Sequence, residues 1–149
     1  MALFNEGMGL LEHTADYLDG PGRADSRRLS RLGSLAYATE SMKLTTRLMQ
    51  LASWLLLRRA VNDGEMSPDQ AIREKAKIRL DHPEDRERSA GYDELPEMLR
   101  ELIARSLRLQ ARIRHLDHQL AGVEPGAGRN PVGEQLSRVR TVFGGNEGG

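Results

Sequence analysis

The stretch Leu35-Ala36-Tyr37-Ala38-Thr39-Glu40-Ser41-Met42-Lys43-Leu44-Thr45-Thr46-Arg47-Leu48-Met49-Gln50-Leu51-Ala52-Ser53-Trp54-Leu55-Leu56, inside a longer run from Leu29 to Asn62, decides the fold. Leu35, Met42, Met49 and Leu56 recur at every seventh residue, with Ala38, Thr45 and Ala52 between them. A second apolar series, Tyr37, Leu44, Leu48, Leu51 and Leu55, lies on another side of the same helical cylinder. A helix on a protein surface carries one apolar stripe, so two stripes predict a long helix sandwiched between neighbours. Asn62-Asp63-Gly64 ends it.

Upstream, Phe4, Met8, Leu11, Ala15 and Leu18 fall at helical spacing and predict a first helix from about Leu3 to Leu18, with that stripe inward. Asp19-Gly20-Pro21-Gly22 reads as its stop. Downstream, Ser67-Pro68-Asp69-Gln70 offers Ser at the N-cap, Pro at N1 and Gln at N3, the start of a short helix to about Leu80. Asp81 to Ala90 is charged and reads as a mobile loop. A third long helix, Asp93 to Ala121, carries Leu95, Leu102, Leu109 and Leu116 at one heptad position and Leu99, Ser106, Ile113 and Leu120 at another. The expected fold is all-α: a three-helix bundle over residues 1–121, with a short extra helix between the second and third long helices. Residues 122–149 hold eight Gly and two Pro and read as a flexible tail. Val132, Leu136, Val139 and Phe143 form one amphipathic segment inside that tail. It can dock back on the bundle or serve as a short recognition segment for a partner.

At about 1.5 Å per residue the first helix is roughly half as long as the second. Packed antiparallel across a short turn, it covers only the first half. Leu48, Leu51, Trp54 and Leu55 then lack cover from it, and a large exposed apolar patch is unusual on a monomer. These four residues are the candidate core or dimer interface, and a homodimer is expected. The Leu48–Leu57 run is far short of the about 20 apolar residues of a membrane span. With no signal-like N-terminus, the expected location is the cytoplasm.

The chain of 149 residues has 22 basic and 22 acidic side chains and no Cys. The balance disfavours a nucleic-acid partner, and the missing Cys removes disulfides and thiolate metal sites. His115 and His118 lack the ferritin-like Glu-x-x-His pattern, so a solvated helix end is the better reading. No Gly-x-Ser-x-Gly elbow or Gly-Lys-Ser/Thr phosphate loop is present. No catalytic residue, cofactor or metal is nominated. Arg27-Arg28-Leu29-Ser30-Arg31 is a basic cluster, read first as a solvated helix start. Glu12 and Glu40 are expected at the surface.

Tyr17-Leu18-Asp19-Gly20-Pro21-Gly22-Arg23, together with Leu35 to Met42 and Leu44 to Leu56, resembles the alphaproteobacterial regulator of CtrA degradation family. The resemblance covers about Leu3 to Leu80 and continues more weakly through the third long helix. It implies a dimerising three-helix bundle with a flexible C-terminal tail. It also implies a non-catalytic adaptor that helps deliver substrates, a cell-cycle response regulator among them, to the ClpX–ClpP protease together with other adaptors. The competing readings are a helical small-ligand sensor built on the Trp54 region and a DNA-binding regulatory protein using Arg27 to Arg31.

Overall fold

The computed structural model describes residues 2–123, which fold as α1 (Ala2–Asp19), α2 (Pro21–Arg27), α3 (Arg31–Asn62), α4 (Pro68–Lys75) and α5 (Glu97–Val123). Short 3-10 turns sit at Pro83–Arg86 and Tyr92–Glu94. No strand occurs among the described residues, so the fold is all-α. The tail segment with Val132, Leu136, Val139 and Phe143 lies outside them. The described chain divides into two units, one up to Ala111 and the other beginning at Arg112. In the second, Arg112–Val123 continue α5, with Ile113 buried and His115 and His118 exposed.

The ends of α3 follow local chemistry. Ser30 is the N-cap, and its hydroxyl accepts from the Gly33 N–H at 3.1 Å. Ser30 also donates to Glu94 in the loop before α5. At the other end Asp63 caps the helix and Gly64 takes a φ of +74°. The Gly64 N–H donates to Val61 and the Glu65 N–H to Ala60, the bond pattern of a Schellman motif.

The Gly20-Pro21-Gly22 stop is also a start. Pro21 occupies the first turn of α2, where its missing N–H is no loss. A Cβ on Gly22 would sit 2.5 Å from the Tyr37 hydroxyl oxygen and 2.7 Å from the Tyr17 carbonyl oxygen, so only glycine lets these three segments approach. This extra helix carries α1 further along α3 than a tight turn would. Tyr17 lies by Tyr37, Gly7 faces Leu55, and the Arg59 guanidinium stacks 4.7 Å from the Phe4 ring. The expectation that α1 covers only the first half of α3 is therefore corrected: the contacts run from Tyr37 to Arg59.

The inward line of α1 also differs. It is Gly7, Leu10, Thr14 and Tyr17, while Phe4, Met8, Leu11 and Leu18 flank it half-buried and Ala15 is exposed. A Cβ on Gly7 would collide with Leu55 and approach Leu109 within 3.7 Å, so α1, α3 and α5 converge on a residue without a side chain. Leu44, Leu48, Leu51, Trp54 and Leu55 from α3 are buried, as are Leu95, Leu99, Leu102 and Leu109.

Residues 76–90 form a strap rather than a free loop, and α4 stops at Lys75 instead of Leu80. The strap's backbone is claimed by other elements. The Arg79 N–H donates to Gln50 Oε1 at 2.8 Å, and the Leu80 carbonyl accepts from Gln110 Nε2 at 3.1 Å. Asp85 carries its anchor. The Arg47–Asp85 ion pair is 2.7 Å long, with side chains 2% and 10% exposed. Arg47 also donates to Ser106 at 2.8 Å, and Gln110 donates to Asp85 at 3.0 Å. Glu40, expected at the surface, is buried and accepts from the N–H and hydroxyl of Ser89 at 3.0 and 2.8 Å. Lys43 bonds Glu40 and the Glu87 carbonyl.

Burial pushes the Asp85 carboxyl up, but the Arg47 and Gln110 hydrogen bonds and the Arg47 and His82 charges together hold it below the usual carboxylate range. The resulting stability is present above the unfolded-state value of about 3.9 and is lost as pH falls through the lower native value. Two outcomes follow, both read from chemical denaturation midpoints. Gly22→Ala destabilises by about 1–3 kcal/mol through overpacking. Asp85→Ala, by leaving the Arg47 charge buried, costs on the order of 3 kcal/mol at neutral pH, and its deficit against the natural chain shrinks as pH is lowered below about 4.

Candidate interaction surface

The inward turn of Glu40, Lys43 and Arg47 decides what α3 shows on its other side. From Ser34 to Leu56 these three are the only charged residues, and all are engaged with the strap or with α5. The outward face between them is neutral: Leu35, Ala38, Met42, Thr45, Thr46, Met49, Ser53 and Leu56. At 3.6 residues per turn these eight occupy about 100° of arc along roughly 32 Å of helix. Leu35 is 60% exposed, Met42 71%, Met49 60% and Leu56 53%. Leu32 and, on α4, Ile72 add further exposed apolar area. Thr45 donates to the Ser41 carbonyl and Ser53 to the Met49 carbonyl, each at 2.9 Å, so these hydroxyls are satisfied within the helix.

This surface is not the one nominated by the length argument. Leu48, Leu51, Trp54 and Leu55 lie on the opposite side of α3, each at most 2% exposed within one chain. The face with Leu35, Met42, Met49 and Leu56 carries its own sequence signal, the seven-residue repeat. That pattern alone does not say which of two apolar stripes the rest of the chain covers.

Two of the clefts lined by described residues border α3. One, about 210 Å³, is lined by Met42, Lys43, Thr46, Arg47, His82 and Asp85. Its charged groups are already committed to the strap. The other, about 410 Å³, is lined by Phe4, Asn5, Arg59, Asn62 and Asp63. Neither brings together an acid, base and nucleophile in the geometry a reaction needs. Trp54 packs in the core and lines neither. No group of His, Asp and Glu suited to a metal is found among the described residues.

Near the start of α3, Arg23, Arg27, Arg28 and Arg31 are exposed. Asp25 is shared between Arg28, at 3.8 Å, and the Tyr17 hydroxyl, which donates to it at 2.8 Å. Burial raises the Tyr17 phenol above its ordinary value, and the Asp25 bond and charge add to that. Burial, then the Asp25 charge, raises Tyr37 as well. The cluster ties α2 to α1 and presents its remaining arginines to solvent. No described helix is long and apolar enough to cross a membrane.

Comparison with known proteins adds to this geometry. The family described as "Protein of unknown function (DUF1465)" matches residues 1–143. The crystal structure of RcdA from Caulobacter crescentus CB15 is 51% identical over 80% of this chain and 88% of that one, with a TM-score of 0.66. No curated protein matches. With the family match spanning nearly the whole chain and the RcdA likeness extending over four fifths of it, the chain belongs to the DUF1465 family and is a relative of RcdA.

Proposed function

We propose that this chain is a non-catalytic adaptor of regulated proteolysis, working like the regulator of CtrA degradation. It helps deliver substrates to the ClpX–ClpP protease in the bacterial cytoplasm as part of cell-cycle control. The observation that carries the reading is the neutral, apolar outer face of α3, on a chain 51% identical to RcdA. A contiguous exposed apolar surface on a folded domain marks a protein interaction site. In this reading residues 1–121 act as the bundle domain and the tail from 122 to 149 contributes partner contacts through Val132, Leu136, Val139 and Phe143. The functional unit is a homodimer.

A reconstituted degradation assay tests the adaptor role. Purified ClpX–ClpP, its companion adaptors and a cell-cycle response regulator are combined with and without this chain. The expected result is a several-fold faster loss of the response regulator when the chain is present. Unchanged turnover across a panel of such cargoes removes the reading. Sedimentation addresses the dimer separately. The natural chain sediments as a dimer at tens of micromolar, and Met42→Glu sediments as a folded monomer with an unchanged denaturation midpoint. A natural chain that is monomeric at that concentration overturns the homodimer.

A further inference from the structure

We propose that the cleft between α3 and the strap is a binding site for a small organic carboxylate, received by the Arg47 Nε–H and the Lys43 ammonium. The inference goes beyond the adaptor reading and does not depend on it.

The first observation is an unpaired proton. Arg47 is 2% exposed; its Nη1 donates to Ser106 and its Nη2 to Asp85 Oδ1, yet its buried Nε has no acceptor. The other such side-chain atoms among the described residues are the neutral hydroxyls of Thr14 and Ser41. A buried donor without a partner loses its hydration uncompensated, and such atoms are rare enough in native proteins that each calls for a cause. The cause lies in the neighbouring bonds. Nε and Nη2 share one edge of the planar guanidinium, the fork that a carboxylate ordinarily fills with both oxygens. Asp85 fills half of it. Its second oxygen, Oδ2, accepts instead from Gln110 Nε2 at 3.0 Å. Gln110 thus holds Asp85 in a one-oxygen contact and leaves the Nε half of the fork to another acceptor.

The second observation is the place. Arg47 and Asp85 both line the cleft of about 210 Å³, together with Met42, Lys43, Thr46 and His82. That volume is several times the share of one water, about 30 Å³. It falls below the roughly 300 Å³ where drug-sized pockets begin. Lys43 stands one turn before Arg47 on the same side of α3. Its bonds to Glu40 at 3.3 Å and to the Glu87 carbonyl at 2.8 Å account for two of its three ammonium protons. His82 is held as a wall, with Nε2 3.1 Å from the Arg79 carbonyl oxygen.

The lining also selects the ligand. Asp85 repels any anion here, and a phosphate, carrying more charge than a carboxylate, is repelled more. Met42 and the Thr46 methyl offer an apolar wall to a short carbon chain, which inorganic phosphate lacks. Nε is closed to water by its surroundings, so a carboxylate reaches it only as the rim gives way. Met42 is suited to this: it is 71% exposed and unbranched, with three rotatable bonds.

Nuclear magnetic resonance of the full chain, isotopically labelled, reads the atom directly. The Arg47 Nε–H signal is assigned through bonds from its own backbone amide. Butyrate is then titrated in, with ionic strength held constant by chloride, and inorganic phosphate is titrated separately. The expected result is a saturable shift of this signal with butyrate. Gln110→Leu frees Asp85 to close its second oxygen onto Nε, so the response is lost in a chain that keeps its helical circular dichroism. Lys43→Met weakens the apparent binding several-fold, and it carries the test if Gln110→Leu does not fold. No shift, or one that rises linearly with butyrate, overturns the site. So does an Nε–H that cross-relaxes with a bound water and ignores butyrate. Phosphate saturating the signal at lower concentration than butyrate overturns the choice of carboxylate. An undiminished response in Lys43→Met overturns the pairing of the two donors.

Discussion

The buried guanidinium of Arg47 constrains most of what surrounds it. A charge taken out of water is tolerated only when it is paired and hydrogen-bonded, and Arg47 finds Asp85 and Ser106 for this purpose. Asp85 comes from the strap and Ser106 from α5, so one side chain sets the rotation of α3, the register of α5 and the path of residues 76–90. Ser106 occupies a heptad position otherwise held by Leu and Ile. A larger apolar side chain there would leave the Arg47 proton without its acceptor. Gln110, one turn further along α5, closes the network by donating both to Asp85 and to the Leu80 carbonyl. The strap is therefore held largely by directed polar bonds, whose strength depends on the low dielectric around them.

Fixing the rotation of α3 also fixes what it shows to solvent. A surface helix ordinarily turns its charges outward. Here Glu40, Lys43 and Arg47 face the strap and α5, and the water-facing side carries Leu, Met, Ala, Thr and Ser. Each exposed Leu or Met forgoes part of the roughly 1.5–3 kcal/mol that full burial of such a side chain provides. A single exposed Leu needs no explanation. Four at seven-residue intervals on one helix, with no charge among them, form a surface whose favourable state is contact. Packing and recognition thus share a helix but occupy different sides of it.

Much of this was legible in the sequence. The long helices were visible from strong periodicity, and the heptad positions from Leu95 to Leu109 are buried as their spacing implies. The caps at Ser67 and at Asp63-Gly64 were likewise readable, because capping depends on short-range bonds. The misreadings share a cause: local pattern carries no information about long-range polar pairing or close backbone approach. Phe4 and Met8 score as more apolar than Gly7 and Thr14, yet the small residues face inward because α1, α3 and α5 converge there. Gly20-Pro21-Gly22 has the chemistry of a break, and only the spacing of Tyr17, Gly22 and Tyr37 shows that it also begins α2. Residues 81–90 look like solvated loop because their charges have no partner within the segment. Glu40 looked exposed for the same reason. Its partner, Ser89, is far away in sequence.

The two apolar series of α3 were both visible, and the residues offered as core or dimer interface, Leu48, Leu51, Trp54 and Leu55, are buried within one chain. The nomination followed from chain length: α1 seemed too short to reach Trp54. The seven residues of α2 remove that shortfall by shifting α1 along α3. Once the Leu48 to Leu55 side is covered by the chain itself, the apolar excess that prompted the dimer argument does not vanish. It moves to Leu35, Met42, Met49 and Leu56, where nothing else in the described chain competes for it. The argument for an interface is stronger there than in its original form. A residue in the core must first satisfy its own neighbours, whereas this outward face is charge-free and its Thr45 and Ser53 hydroxyls are bonded within the helix.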